Sequence, residues 1–537
     1  QHAQVRLKSL TAAEKPKKRR FSKWIVIALV AVIGLGLVGA IGWRYGDFLL
    51  RFNPFTKTAS QVALATGAPG QIDSSTLMPT MTQAVSLTAA HTEVESAVPA
   101  AETLIPVTVS PSATATIIPT GTSSPAPTAT AVLNEDVAAQ MDLIQEQVSE
   151  LRNLEIIAPV ERSIIPENEL LPLLESIYLE RNTKDVVAEQ AMVLSTLGLI
   201  EPTYDLYTET LSQIGEGIGG FYVPWTDDLY LIGTTFTGLE RYVFAHEYTH
   251  ALADQHFFLD EIGVYPECLS DTDRCLAISA LIEGDATYLM NEWLMTYGSE
   301  DDLADIVAAQ YAPLDEAISS SHLPPPYLVR ELNFKYGDGY DFVEHFIDKW
   351  GWQMINIIYT KPPQTTEQIF HPQKYQVKEE PKTVPEPPLQ AVLGDDWRLL
   401  VSDSLGELGT QMILAYSADR LAHIDPEVAV DAAAGWGGDR YRVFYRGTTH
   451  SNILVADWVW DHRREADEFF PAMQQYLDLH YRGKSVDHEA GLCWELLNDH
   501  FSCIFQADAE TLWIMAPKMD SVDLIRQQYP AFSNIAE

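Results

Sequence analysis

The chain has 537 residues, too many for one ordinary hydrophobic core, and a formal charge of −40 from 35 Lys/Arg and 75 Asp/Glu. The charge is unevenly placed: the first 57 residues hold eleven Lys/Arg against two Asp/Glu, leaving 24 against 73 for the rest. So acidic a body repels nucleic-acid backbones and anionic lipid, which sets DNA and RNA aside as partners and favours solubility in the open medium.

Residues 1–23 form a basic tail. Trp24–Trp43 then runs twenty residues without a charge, enough at a 1.5 Å rise to cross a hydrocarbon core about 30 Å thick, with Trp at each interface. The run Lys15–Lys23 outweighs Arg44, Arg51 and Lys57 across the span, so a single transmembrane helix is expected with its N-terminus cytoplasmic and the body outside. The apolar run is longer than a signal-peptide core and no small-x-small cleavage site follows it, which favours an uncleaved anchor. Residues 44–133 are rich in Ser, Thr, Ala and Pro, as in Thr114–Thr128, and cannot bury enough to fold. They read as an extended stalk.

From Asn134 the pattern becomes helical. Apolar residues recur at helical spacing over Asn134–Leu154, and Glu169–Leu199 reads as two more helices stopped by Gly198 and Pro202. Gly219–Gly233 differs: two aromatic and β-branched runs surround Thr226-Asp-Asp228, which predicts a hairpin. Helices follow at Leu239–Leu259, Leu276–Tyr297 and Tyr340–Tyr359. Past Leu389, strands are predicted at Tyr441–Tyr445, Ile453–Val459, Cys493–Leu497, Ser502–Gln506 and Thr511–Met515, beside a helix at Arg464–Tyr476. The fold class is therefore α+β, with a mainly helical unit at 134–388 and an α+β unit at 389–537 packed on it. The four cysteines, Cys268, Cys275, Cys493 and Cys503, all follow the span, and their spacing favours the local pairs Cys268–Cys275 and Cys493–Cys503 over free buried thiols. None has the Cys-x-x-Cys spacing of a thiolate zinc site.

The chemistry centres on Val243-Phe-Ala-His-Glu-Tyr-Thr-His-Ala-Leu252. Residues four apart on a helix are rotated by about 40°, so His246 and His250 share a face and both imidazoles can reach one Zn2+ ion. Glu247, about 100° around from His246, suits a general base that takes a proton from water instead of a ligand. Two residues compete for third ligand. His256 has the metzincin offset, but Ala253 stands where that pattern needs Gly, and on a continuing helix His256 points about 240° away from His250. Glu283, in Ala280-Leu-Ile-Glu-Gly-Asp-Ala-Thr287, would give a His₂Glu set with an open fourth position, and the geometry favours it.

With these residues in place the chain resembles the gluzincin metallopeptidases, and among them membrane-tethered bacterial proteins with an HExxHALxDQ helix and a later Glu-Gly-Asp-Ala helix. The resemblance runs from Asn134 to the C-terminus through Gly219-Gly-Phe-Tyr222, Pro362–Pro372 and Gly435–Tyr441. It implies a zincin-like catalytic domain over 134–388, one zinc held by His246, His250 and Glu283, and Glu247 as base. Two departures stand: Thr287 replaces an Asp common four residues past the ligand Glu, and the gap from His250 to Glu283 is long.

Asp254 and Asp285 are candidates to orient the histidines, or are solvated helix charges. His371 and Tyr375 are candidate donors to an oxyanion, though His371-Pro372 fits a turn equally well. The glycines of Gly435–Tyr441 suit a tight turn better than a phosphate cradle. A sheet edge at Phe221–Tyr222 or Leu229–Ile232 could pair with extended peptide, so peptides or unfolded protein are the expected substrate. The expected function is a membrane-anchored extracytoplasmic zinc metalloprotease; the alternative is an inactive zincin-fold binding or sensor module on its stalk. Intact His246-Glu247-His250 weighs against the alternative, because a non-catalytic module has no use for the Glu.

Overall fold

The computed structural model describes residues 133–181, 183–210, 219–262, 271–310, 324–489, 491–496 and 500–533. The expected span Trp24–Trp43, the stalk and Cys268 lie outside these residues. Among the described residues, no helix is long and apolar enough to cross a membrane.

The first half is built on helices. In chain order they are α1 (Glu135–Arg152), α2 (Glu167–Arg181), α3 (Lys184–Thr196), α4 (Gly238–Phe257), α5 (Thr272–Tyr297), α6 (Glu300–Gln310) and α7 (Pro326–Asn333). A π-helical turn at Phe334–Asp338 leads into α8 (Gly339–Trp350), followed by α9 (Trp352–Thr360), α10 (Thr366–Phe370) and α11 (Pro372–Val377). The predicted single helix Tyr340–Tyr359 is two, because Gly351 takes φ 71° and turns the chain between α8 and α9.

Helix α4 begins with a capping box in which Thr237 and Glu240 satisfy each other's ends. Tyr242, Phe244, Ala245, Tyr248, Ala251 and Leu252 bury nearly every side of it, in one cluster with Met141, Ile144 and Val148 of α1 and Leu289, Trp293 and Leu294 of α5. Even His246, Glu247 and Asp254 are buried, so α4 runs through the interior of this half as its central rod.

A three-stranded sheet has the order β1-β3-β2, with β1 Glu161–Ile165, β2 Gly220–Val223 and β3 Asp228–Ile232. The expected hairpin is β2–β3. Leu229–Ile232 is not an edge, however: β1 pairs with its outer side in parallel, from Glu161↔Asp228 to Ile165↔Ile232. The two edges of this sheet are β1 and β2, and β2 carries the expected Phe221–Tyr222. The bond from the Ile232 N–H to the Gly219 carbonyl sets the ladder's phase, so Gly220 and Tyr222 turn their N–H and C=O away from β3.

The second half holds α12 (Leu389–Leu393), β4 (Arg398–Asp403), α13 (Gly406–Ala415), α14 (Pro426–Ala433), β5 (Trp436–Arg446), β6 (Ser451–Trp460) and α15 (Arg463–His480). It continues through β7 (Val486–His488), β8 (Gly491–Glu495), β9 (Phe501–Ala507), β10 (Glu510–Ala516), α16 (Met519–Arg526) and α17 (Pro530–Ser533). Its seven strands form an antiparallel sheet of order β4-β5-β6-β10-β9-β8-β7. The fold class is mixed α+β, with its larger sheet in the C-terminal region.

Side chains alternate across this sheet as the strand period requires. Leu454, Ala456, Trp458, Ile504 and Trp513 meet Phe469, Met473 and Tyr476 of α15 on one face, while Ile453, Val455, Phe505, Leu512 and Ile514 meet Val522, Ile525 and Phe532 on the other. The first of these clusters continues without a break into Leu281 of α5, Phe342 of α8 and Ile358 of α9. Cys493 and Cys503, paired directly across β8 and β9, form a disulfide. Cys275 is also disulfide-bonded. In the run from Gly435, the Asp439 carboxylate accepts from the backbone N–H groups of Leu405 and Gly406 and from the Trp436 indole, so the run anchors the start of α13.

Candidate metal centre

Helices α4 and α5 bring three potential ligands to one point. His246 Nε2 lies 3.1 Å from His250 Nε2 and 3.2 Å from Glu283 Oε2, and His250 Nε2 lies 3.4 Å from the same oxygen. Three ligands at tetrahedral corners, each about 2.0–2.1 Å from a zinc ion, would stand about 3.3–3.4 Å apart. The two imidazoles meet edge to face, with ring centroids 4.7 Å apart and their Nε2 atoms brought together. The donor set and its spacing fit zinc. The Nδ1 of His246 is buried with no hydrogen-bond partner.

The charges of the trio lean on one another. Burial alone would raise Glu283, but the His250 and His246 imidazoles reverse this and hold it well below the usual carboxylate range. Burial works against a charged His250, yet the carboxylates of Glu283 and Glu247 outweigh it and lift its pKa to about 9. The attraction that binds a proton there would also bind a divalent cation.

Glu247 lies beside this trio, only 7 % exposed. Burial pushes its pKa up, against the pull of His246 and His250, while the Tyr222 backbone N–H on the edge strand β2 donates to its carboxylate. A carboxylate raised by burial next to a metal position is suited to accept a proton and return it.

Tyr336 is a site residue that the sequence reading did not single out. Its ring centroid is 6.0 Å from that of His246 and its hydroxyl bonds the Glu283 carboxylate. The residue is still 38 % exposed, so the phenol spans the distance from solvent to the ligands. It sits in the π-helical turn, a geometry frequent at functional sites. Two glycines let that turn come so close: a Cβ on Gly284 would lie 2.2 Å from the Gly339 carbonyl oxygen, and one on Gly339 would lie 2.2 Å from that of Ala280. The second residue of Glu283-Gly-Asp-Ala is thus glycine because the backbone carrying Tyr336 rests on it. Gly284 beside a ligand, together with Gly337 and Gly339 after an aromatic, was the available signal.

Other expected residues have different work. His256 lies on the uninterrupted helix with its Nε2 against the Glu155 carbonyl at 2.8 Å. Asp254 accepts from the Tyr222 hydroxyl at 2.8 Å and from the Leu259 N–H at 2.6 Å, tying the hairpin to the end of α4 instead of orienting a histidine. His371 pairs with the buried Glu407 at 3.1 Å, and the Tyr375 hydroxyl donates to the Lys361 carbonyl at 2.7 Å. None of these four hydrogen-bonds a member of the trio. Asp285, by contrast, is fully buried and bonded to Arg152. In Pro362–Pro372, Thr366 donates to the buried Asp273 and Glu367 accepts from Lys374, both packing roles. Lys374 also bonds Glu379 and Asp461, so its ammonium already fills the cluster formed by these three carboxylates.

Residues 398–526 match a family described as a domain of unknown function (DUF8575). The matched segment begins at β4 and ends with α16, after the candidate ligands in the chain. No curated protein and no solved structure matches significantly.

Proposed function

We propose that the chain is a membrane-anchored, extracytoplasmic zinc metallopeptidase of gluzincin type, with one zinc per chain on His246, His250 and Glu283. The observation that carries this reading is the triangle of two imidazole nitrogens and one carboxylate oxygen with sides of 3.1–3.4 Å. Glu247, buried beside it, adds the base that a merely structural metal site would lack. Zinc, when bound, supplies a Lewis acid that polarises a carbonyl and brings a coordinated water towards neutral pKa.

The protein's own groups do the rest. Glu247, held by the Tyr222 N–H, takes the proton of the attacking water and hands it to the leaving amine. Tyr336 replaces His371 and Tyr375 as the donor to the oxyanion, because its hydroxyl already reaches Glu283. The outward groups of β2 that Glu247 leaves unused, such as the Tyr222 C=O, offer an extended peptide a strand to pair with, beside the same Glu247. Peptides or unfolded segments are therefore the substrate class. Residues 24–43 anchor the chain, and 44–133 hold the zincin-like body of 134–388 and its partner unit 389–537 away from the membrane.

The test is metal analysis of the purified full chain together with a cleavage profile on an unbiased peptide mixture. One zinc per chain and cleavage abolished by a chelator and restored by zinc are expected. A chain that takes up no zinc, or cleaves equally without it, overturns the reading.

A further inference from the structure

Arg152 is the last residue of α1 and is completely buried. Its Nε bonds both oxygens of Asp285 at 3.0 and 3.2 Å, and its Nη2 bonds Oδ2 at 3.1 Å. The remaining nitrogen, Nη1, bonds Asn356 Oδ1 at 2.7 Å, and the guanidinium lies 4.5 Å from the ring centroid of Trp352. Two-pronged Arg–carboxylate contacts fix orientation as well as distance. Asp285 is two residues past Glu283, so the two side chains leave α5 about 200° apart. Glu283 points to the metal position while Asp285 is gripped from behind.

That placement controls the rotation of α5. A turn of only about 10° about the helix axis would move a carboxylate some 5–6 Å from that axis by about 1 Å, a large step against the 3.1–3.4 Å sides of the ligand triangle. Helix α1 is well placed to prevent it. Its Met141, Ile144 and Val148 pack in one cluster with α4, and its Gln147 and Glu150 accept from Trp293 and Tyr297 of α5 at 2.8 and 2.9 Å. The helix that follows the stalk segment in sequence is thus fastened to both ligand-bearing helices.

We propose that Arg152 is a positioning residue for the metal centre, holding Glu283 in place through Asp285, so that the docking of α1 sets the zinc affinity of the site. The inference rests on the zinc reading above. Its test is zinc affinity, measured by chelator competition on the full chain, with the melting of the metal-free protein recorded alongside. Arg152→Gln and Asp285→Asn should each weaken zinc binding about 10–100-fold, the usual effect of removing a partner that orients a ligand. The double variant should be no weaker than the worse single, because both changes cut one link. Arg152→Lys, which keeps the charge but not the two-pronged grip, should recover only part of the loss.

A purely structural Arg152 would give the opposite split: metal-free melting falls while zinc affinity stays at the wild-type value, and that result overturns the proposal. Should Arg152→Gln fail to fold, Asp285→Asn decides, since it keeps the shape of the side chain and one acceptor oxygen. Failure of the zinc reading itself is distinguishable, because the unsubstituted chain would then bind no zinc.

Discussion

Glu283 and His256 put the clearest single-residue contrast in the molecule. Both can ligate zinc and both follow the His246/His250 pair, but only Glu283 reaches them, while the His256 imidazole is spent on the Glu155 carbonyl. Glu283→Gln should therefore strip or weaken zinc binding, and His256→Ala should leave metal content near wild type. Equilibrium dialysis against zinc checks both, and the reverse outcome would reinstate the metzincin-like arrangement. Tyr336 supports a second test. Losing one oxyanion donor costs about 10²–10³ in turnover, so Tyr336→Phe should keep its zinc and lose turnover on that scale. Cleavage within a few-fold of wild type would take the phenol out of the mechanism.

At the scale of elements, the close approach of α5 and the π-helical turn is what assembles the site. An alanine at Gly284 would drive its Cβ against the Gly339 carbonyl, 2.2 Å away. Overpacking of this kind costs about 1–3 kcal/mol, and here the strain would also push Tyr336 away from Glu283. Gly284→Ala should thus lower the melting temperature by several degrees and reduce turnover; unchanged melting would mean that the two backbones separate easily.

Legibility followed the range of the forces involved. Helix α4 was readable because its signals are local: it was expected at Leu239–Leu259 and spans Gly238–Phe257. The long strands β5, β6, β9 and β10 were found for the same reason, each expectation falling inside the observed strand. Missed elements depend on distant partners. Glu161–Ile165 is a strand only because β3 lies beside it, and the short edge strands β4 and β7 hold by one neighbour each. Tyr336 escaped because its approach depends on glycines 55 positions apart, 284 and 339, and no periodicity records such a contact. His371 and Tyr375 were drawn from residue type alone, and their hydrogen bonds lie elsewhere.

Across the whole molecule, charge and core tell different things. The basic tail, the uncharged run Trp24–Trp43 and the acidic remainder lead to a topology prediction: protease added to intact cells should remove the body while a tag at the N-terminus survives. Recovery of the body only from inside the cell would contradict it. The hydrophobic cluster that joins α5, α8 and α9 to the large sheet makes the C-terminal strands part of what holds the candidate metal centre in shape. Asp403 of β4 adds to this by accepting from the Thr272 N–H at the start of α5, at 2.9 Å. The central claim, that this assembly hydrolyses peptides by a general base beside a bound zinc, is tested most directly by comparing wild type with Glu247→Gln from parallel preparations of the full chain. The substituted amide keeps the shape of the side chain and leaves both imidazoles untouched, so zinc content and melting should match wild type. Turnover on a peptide mixture should fall by about 10⁴-fold or more, the upper end for a group that both takes and delivers a proton. A variant that keeps zinc and cleaves within about tenfold of wild type, or a wild-type chain that holds zinc and cleaves nothing, would contradict the account.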